Sequence, residues 1–197
     1  MSIYRKVQAV ERVFSSLERD LATFKNATGL QCVSGCGLCC KKPDISAAAL
    51  EFLPLAYHLF KEGQAYQWLE ELDTSSDDPF CRMFRPFLKE NESGFCSQYK
   101  YRGLICRLFG NAAVLDKNGE PKLVTCQTIK TEKQLVYQKA VQHIAEGRPT
   151  PVMRNYYFQL RAIDSELGMK LMPINQAVHE ALKIVLSYYA YRKPRRA

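Results

Sequence analysis

This 197-residue sequence predicts a mainly α fold: a single domain of packed helices with a cysteine-rich irregular region and one small β-hairpin. Three observations carry that expectation. Apolar residues recur at steps of three and four toward both ends of the chain, the spacing that lines one face of a helix. All eight cysteines fall between positions 32 and 126, and the stretch over residues 80–110 has no clean helical or strand period. Two short apolar runs, AAVLD and PKLVTC, flank an Asn-Gly pair, a strong hairpin signal. A chain of this length buries one sizeable core, so residues 1–197 read as one domain. Its parts are a helix over 3–27, a cysteine-cluster region over about 30–127, helices over 131–191 and a basic tail over 192–197.

The first helix is marked by Val7, Val10, Phe14, Leu17, Leu21 and Phe24, with Arg12, Glu18, Arg19 and Asp20 between them. Three heptads are few for a coiled coil, so this stripe is expected to pack on its own domain. Gly29, Gly35 and Gly37 mark an irregular loop that holds the first four cysteines. Ser46 reads as the N-cap of a helix over 47–61, with Pro54 as a kink or break. A second helical stretch over 65–72 runs into the turn-rich residues 73–79. Residues 80–110 are expected to be ordered by whatever their cysteines hold. The hairpin around Asn118-Gly119 then places Cys126 at the end of its return strand. Thr131 and Gln134 form a capping-box pattern for a helix ending near Gly147. Thr150-Pro151 starts another, with Tyr156, Tyr157, Leu160, Ile163 and Leu167 on one side and Gly168 past its end. The last helix is expected over 175–191.

Composition sets the compartment. Hydrophobic residues at 47% and charged residues at 24% are ordinary for a soluble protein. The first twenty residues contain no apolar core of a secretory signal. No apolar run approaches the roughly 20 residues that span a bilayer, and the best, over 181–190, contains Lys183. A cytoplasmic protein without a membrane segment follows. Reducing pools there keep thiols open, which disfavours disulfides. The net charge of +8 counts each cysteine as neutral; eight thiolates on two divalent cations would contribute −4 and leave +4. The basic tail frays in solvent in this reading, and nucleic acid is not an expected partner. The sequence has no P-loop, no GxGxxG and no Ser–His–Asp arrangement.

The cysteines carry the chemistry. Cys32-x3-Cys36-x2-Cys39-Cys40 packs four into nine residues; Cys81, Cys96, Cys106 and Cys126 follow. Thiolates two or three residues apart can converge on one centre, as in zinc and iron–sulfur sites. Burial explains a single cysteine, such as Cys126 on a strand, but not this crowding. The triad Cys32, Cys36, Cys39 matches the C-x3-C-x2-C spacing of radical-SAM enzymes, though the chain lacks the length and alternating strands of their barrel. Neighbouring side chains generally diverge, so Cys39 and Cys40 are expected to serve separate centres, two atoms of one cluster, or one ligand and one spare thiol. Eight cysteines equal two four-thiolate sites, or one four-iron cluster plus four further thiols. His58, His143 and His179 lack ligand spacing and read as surface or core. Arg102 and Arg107, around Cys106, suit donation to sulfur as well as ordinary surface exposure.

The segments CVSGCGLCCKKPDIS, Phe80-Cys81-Arg82-Met83-Phe84 and GFCSQYKYRGLICRLFG resemble, in this order, the motifs of the YkgJ-type cysteine-cluster family. This bacterial family is named for a CxxCxxCC motif and described as zinc- or iron-chelating. In the third segment Cys96, Tyr99, Arg102, Cys106 and Arg107 resemble its Cys-x-Ile-Tyr-x-x-Arg-Pro-x-x-Cys-Arg pattern. The chain departs from the family at Cys32, which stands three residues before Cys36, and at Gly103 and Arg82, where prolines are common. The resemblance covers about residues 30–127. It implies a metal ion or cluster as partner, and its flagellin lysine methylase relatives suggest iron and sulfur.

The leading expectation is a cytoplasmic metal-binding protein that holds an iron–sulfur cluster or zinc through Cys32, Cys36, Cys39, Cys40, Cys81, Cys96, Cys106 and Cys126, with a slight lean to iron and sulfur. The alternatives are an iron–sulfur-dependent enzyme, methyltransferase-like or redox, with a protein partner or substrate, and an interaction module organised by structural zinc. No catalytic residue is identified. Spacing adds one geometric expectation: Cys36, Cys39 and Cys40 meet Cys96 and Cys106 across more than fifty residues.

Overall fold

The computed structural model describes residues 1–74, 80–87 and 93–192. The fold is mainly helical, with 61% of the described residues in helices and a few small antiparallel strand pairs. In chain order the elements are α1 (Ile3–Thr28), β1 (Ser46–Ala48), α2 (Leu53–Lys61), α3 (Ala65–Thr74), β2 (Phe84–Pro86), β3 (Gly94–Cys96) and α4 (Leu104–Leu108). They continue with β4 (Ala112–Leu115), β5 (Pro121–Val124), α5 (Gln127–Glu132), α6 (Gln134–Ala145), α7 (Met153–Ile163), α8 (Ser165–Met169), β6 (Leu171–Pro173) and α9 (Ile174–Tyr189). Among the described residues no helix is long and apolar enough to cross a membrane.

The stripe of α1 forms as its period requires: Val7, Val10, Phe14, Leu17, Leu21 and Phe24 are all buried. Each such side chain contributes about 1.5–3 kcal/mol relative to exposure. The helix stops at Gly29, whose φ of 77° lies in the left-handed region, while the Thr28 hydroxyl donates to Phe24 O and accepts from Leu30 N.

The chain groups into two compact units. The first comprises residues 1–12, 35–103 and 160–197. Here α9 packs on α2, α3 and the 3-10 turn Ala49–Phe52, burying Leu53, Leu55, Leu59, Val178, Leu182 and Val185. Tyr189 stacks on Phe60, ring centroids 4.9 Å apart, whereas Tyr191, past the helix end, is exposed. The helix expected over 47–61 is shorter. Ser46 is not its N-cap but the first residue of β1, which pairs antiparallel with β6 as Ser46↔Pro173 and Ala48↔Leu171. Pairing with a strand distant in sequence overrides the local cap signal. Pro54 falls in the first turn of α2, where its missing N–H costs nothing. Gly168 lies inside α8, not past the end of a helix, because Asp164 ends α7 and caps α8 by accepting from Leu167 N at 3.0 Å.

The second unit comprises residues 13–34 and 104–159. Its core gathers Phe24, Leu30, Ala113, Ile129, Ala140 and Ile144. The β4–β5 hairpin forms as expected, with Ala112↔Val124 and Leu115↔Pro121 in register. The capping box does not form. Thr131 sits within α5, its hydroxyl donating to Gln127 O and Thr128 O, and α6 starts after Lys133 without a side-chain cap. The expected single hairpin is one of three two-stranded sheets among the described residues. The turn-rich residues 75–79 and the basic tail from 193 lie outside the described residues.

Candidate metal centre

Two glycines shape the first cysteine loop. Gly35 and Gly37 have φ of 69° and 61°, and a Cβ on Gly37 would sit 2.5 Å from Phe84 Cε2 and 3.1 Å from Gly94 O. Only glycine allows both the left-handed backbone and this close approach. After Gly37 the chain enters a 3-10 turn, Leu38–Lys41, which carries Cys39 and Cys40, with Cys40 N donating to Gly37 O at 2.9 Å.

That loop docks on the second cysteine region. Gly94 N donates to Gly35 O and Cys81 N to Cys40 O, each at 2.9 Å. Within a stretch that shows no period in the sequence, residues 84–86 and 94–96 form β2 and β3, with Phe84 paired to Cys96. Ser97 N reaches Met83 O at 2.8 Å. Asn175, in the first turn of α9, clasps the Cys81 segment from both sides. Its Oδ1 accepts from Arg82 N and its Nδ2 donates to Phe80 O, both at 2.8 Å.

The electrostatics tie three cysteines of this unit together. The Cys40 thiol hydrogen-bonds the Cys39 sulfur and, with main-chain donors, pulls the Cys39 pKa down to about 6. Both cysteines lie on the one 3-10 turn, Leu38–Lys41. Burial pushes Cys81 up to about 11, with like-charge pressure from Cys96 and Cys39 adding to it. Burial also raises Cys96, against the opposing pull of main-chain donation and the positive Arg102. Arg102 is itself buried, its Nη1 donating to Tyr99 O at 3.2 Å and its guanidinium 3.8 Å from the Tyr99 ring centre.

Cys32, Cys106 and Cys126 belong to the second unit. Cys32 is exposed, and its carbonyl accepts from Lys133 Nζ at 3.5 Å. Cys126 stands just past β5 as the residue before α5, packed against the apolar core, where an ordinary core cysteine sits. Arg107 is held by Glu18 Oε1 at 2.5 Å and lies over Phe14, so it serves to anchor α4. The histidines have their own partners: His58 stacks on Tyr101 at 4.6 Å, His143 bonds Pro149 O at 3.1 Å, and His179 bonds Asp73 at 2.8 Å.

No disulfide joins any of the eight cysteines, all of which lie among the described residues. Among the described residues, no three or more His, Cys, Asp or Glu side chains are closed into a metal-ligating group. The donor chemistry nonetheless fits a thiophilic metal. Cys39 is acidic enough to be a thiolate near neutral pH, and Cys81 is held protonated partly by repulsion that a cation would remove. Sequence reasoning passed over Lys41 and Arg85, which flank Phe84. The alternation of aromatic and basic residues around Cys81, in FCRMFRP, was the available signal.

No curated protein and no solved structure gives a significant match to the chain. Residues 31–139, more than half of the chain, match the family described as "CxxCxxCC: Putative zinc- or iron-chelating domain". With a family match of that extent spanning both the docked cysteine loop and the hairpin beneath it, the chain belongs to the CxxCxxCC family.

Proposed function

We propose that this is a cytoplasmic metal-binding protein whose first unit holds iron, as an iron–sulfur cluster, or zinc through Cys39, Cys40, Cys81 and Cys96, with Cys36 on the same loop. The observation that supports it is the docking of the Gly35–Lys41 loop on the Cys81–Cys96 hairpin, which brings cysteines from two distant motifs together. Four thiolates are the complement of a tetrahedral zinc site or of one cluster. The vicinal pair Cys39 and Cys40 favours iron and sulfur, because adjacent cysteines can bind two atoms of one cluster. When bound, such a group supplies either a structural tie or electron transfer. Arg102 favours the ionised Cys96 and offsets the negative charge of the thiolates. The two glycines and Asn175 set the positions of the loops that carry them.

The test is anaerobic purification with metal and acid-labile sulfide analysis and a visible spectrum. Iron, sulfide and a brown colour identify a cluster; metal at an integer ratio in a colourless protein identifies zinc. A colourless protein with eight reactive thiols and no stoichiometric metal, before and after reconstitution, refutes the reading. Cys39→Ser and Cys81→Ser should each lose the metal, whereas Cys126→Ser should retain it.

A further inference from the structure

Beside Cys81 the first unit has a cleft of about 270 Å³, lined among the described residues by Lys41, Phe80, Cys81, Arg82, Phe84 and Arg85 as well as a proline, with no acidic side chain. Its cations are not equivalent. Arg82 is neutralised by an ion pair with Glu71. Arg85 is held by main chain instead: its Nη1 donates to Arg82 O at 2.8 Å and Phe84 O at 2.9 Å. Those two bonds fix the guanidinium and leave its charge without a carboxylate among the described residues. Lys41 Nζ lies 5.5 Å from the centre of the Phe84 ring, likewise without a carboxylate among them. The ring of Phe80, 43% exposed, stands at the same cleft.

We infer that this cleft is a binding site for a small carboxylate-bearing ligand with a flat apolar body. Arg85 and Lys41 hold the anionic group, and the exposed ring of Phe80 offers a face for the body, while the buried Phe84 forms the floor under Lys41. Two fixed cations against apolar walls raise the local potential and select an anion over its neutral isostere. The anchored Arg85 loses little freedom on binding, so its hydrogen bonds come at low entropic cost. The volume suits a single ring or one amino-acid side chain, so the carboxylate belongs either to a free aromatic acid or to an acidic residue beside an aromatic one in a peptide. This inference goes beyond the metal-centre reading and stands on the cleft alone. The competing role for Lys41 and Arg85 is to balance thiolate charge.

Calorimetric titration of the reduced full-length protein, as purified anaerobically, separates these roles. Benzoate should bind saturably, benzamide about tenfold more weakly or worse, and Lys41→Gln should weaken benzoate by about five- to tenfold. Arg85→Gln should weaken it at least as much, and the unchanged melting of Lys41→Gln guards against a folding defect in the other variant. Tighter binding of N-acetyl-Asp-Phe-amide than of benzoate would assign the site to a peptide, and the reverse to a free acid. Lack of saturable benzoate binding, equal binding of benzamide, or benzoate binding undiminished in Lys41→Gln overturns the inference. Metal loading measured in parallel keeps the two readings apart: benzoate binding without any metal uptake sinks only the metal centre.

Discussion

Two of the hairpins are held together by different means. β4–β5 contains its own instructions. Asp116 Oδ1 accepts from Asn118 N and Glu120 N, Gly119 supplies a φ of 85°, and Lys122 pairs with Asp116 at 3.0 Å. β2–β3 has strands of three residues and, beside its own ladder, takes bonds from distant segments: Gly35, Cys40 and Asn175 all bond to it or its flanks. A hairpin built on turn chemistry forms locally, whereas one built on borrowed contacts depends on everything that lends them. The thiol-bearing region is of the second kind, so a bound metal would contribute most of its stability there.

Metal removal should break the comparison most strongly. With the centre loaded and then stripped by chelator, amide exchange in residues 35–41 and 80–87 should accelerate by about a thousandfold or more, because structural thiolate sites carry much of their region's folding free energy. Residues 112–124 should exchange as before. Equal change in both hairpins would show that the first does not depend on the centre.

Gly37→Ala comes next. It adds a left-handed alanine and a clash with Phe84, together about 3 kcal/mol by urea unfolding. Gly119→Ala, with open space around its Cβ, should cost only about 1 kcal/mol. Similar losses at the two positions would remove the role assigned to loop docking.

Thiol reactivity sharpens the picture within the metal-free first unit. At pH 7 Cys39 should alkylate about a hundredfold faster than Cys81, after the lower nucleophilicity of the more acidic thiol is allowed for. Its rate should be half-maximal near pH 6 and that of Cys81 near pH 11, followed by mass spectrometry. The ordinary value for both is about 9. The lowered Cys39 therefore contributes stability that is full above about 9 and lost as pH falls toward 6. The raised Cys81 contributes stability that is full below about 9 and lost as pH rises toward 11. Metal should abolish both profiles.

The smallest effect is expected at His58→Ala, which loses one ring contact, about 0.5–1.5 kcal/mol, and should leave metal content untouched.

The same contrast explains what could be read from the sequence. α1 and the Asn118-Gly119 turn are written in periods and turn residues a few positions apart, and both appear where expected. Ser46 and Thr131 also looked like local signals, yet a partner strand claims the first and the interior of α5 the second. The strands around Cys81 and Cys96 were illegible because each is only three residues long, too short to show a period. Cysteine spacing pointed to a candidate centre drawn from two distant regions. The cleft cations were hidden for another reason. Lys41 and Arg85 become neighbours of one ring only after the loop has docked.

The clasp made by Asn175 also has a history in time. Arg82 N waits for an amide 93 positions further along the chain. At about 5–20 residues per second, a ribosome needs roughly 5–20 s to deliver it. Throughout that interval Cys81 leaves the exit tunnel in a segment whose last fastening has not yet been made. A nascent chain thus presents its thiols before it can lock them, and the order of synthesis opens a window for loading that closes when the final helix arrives.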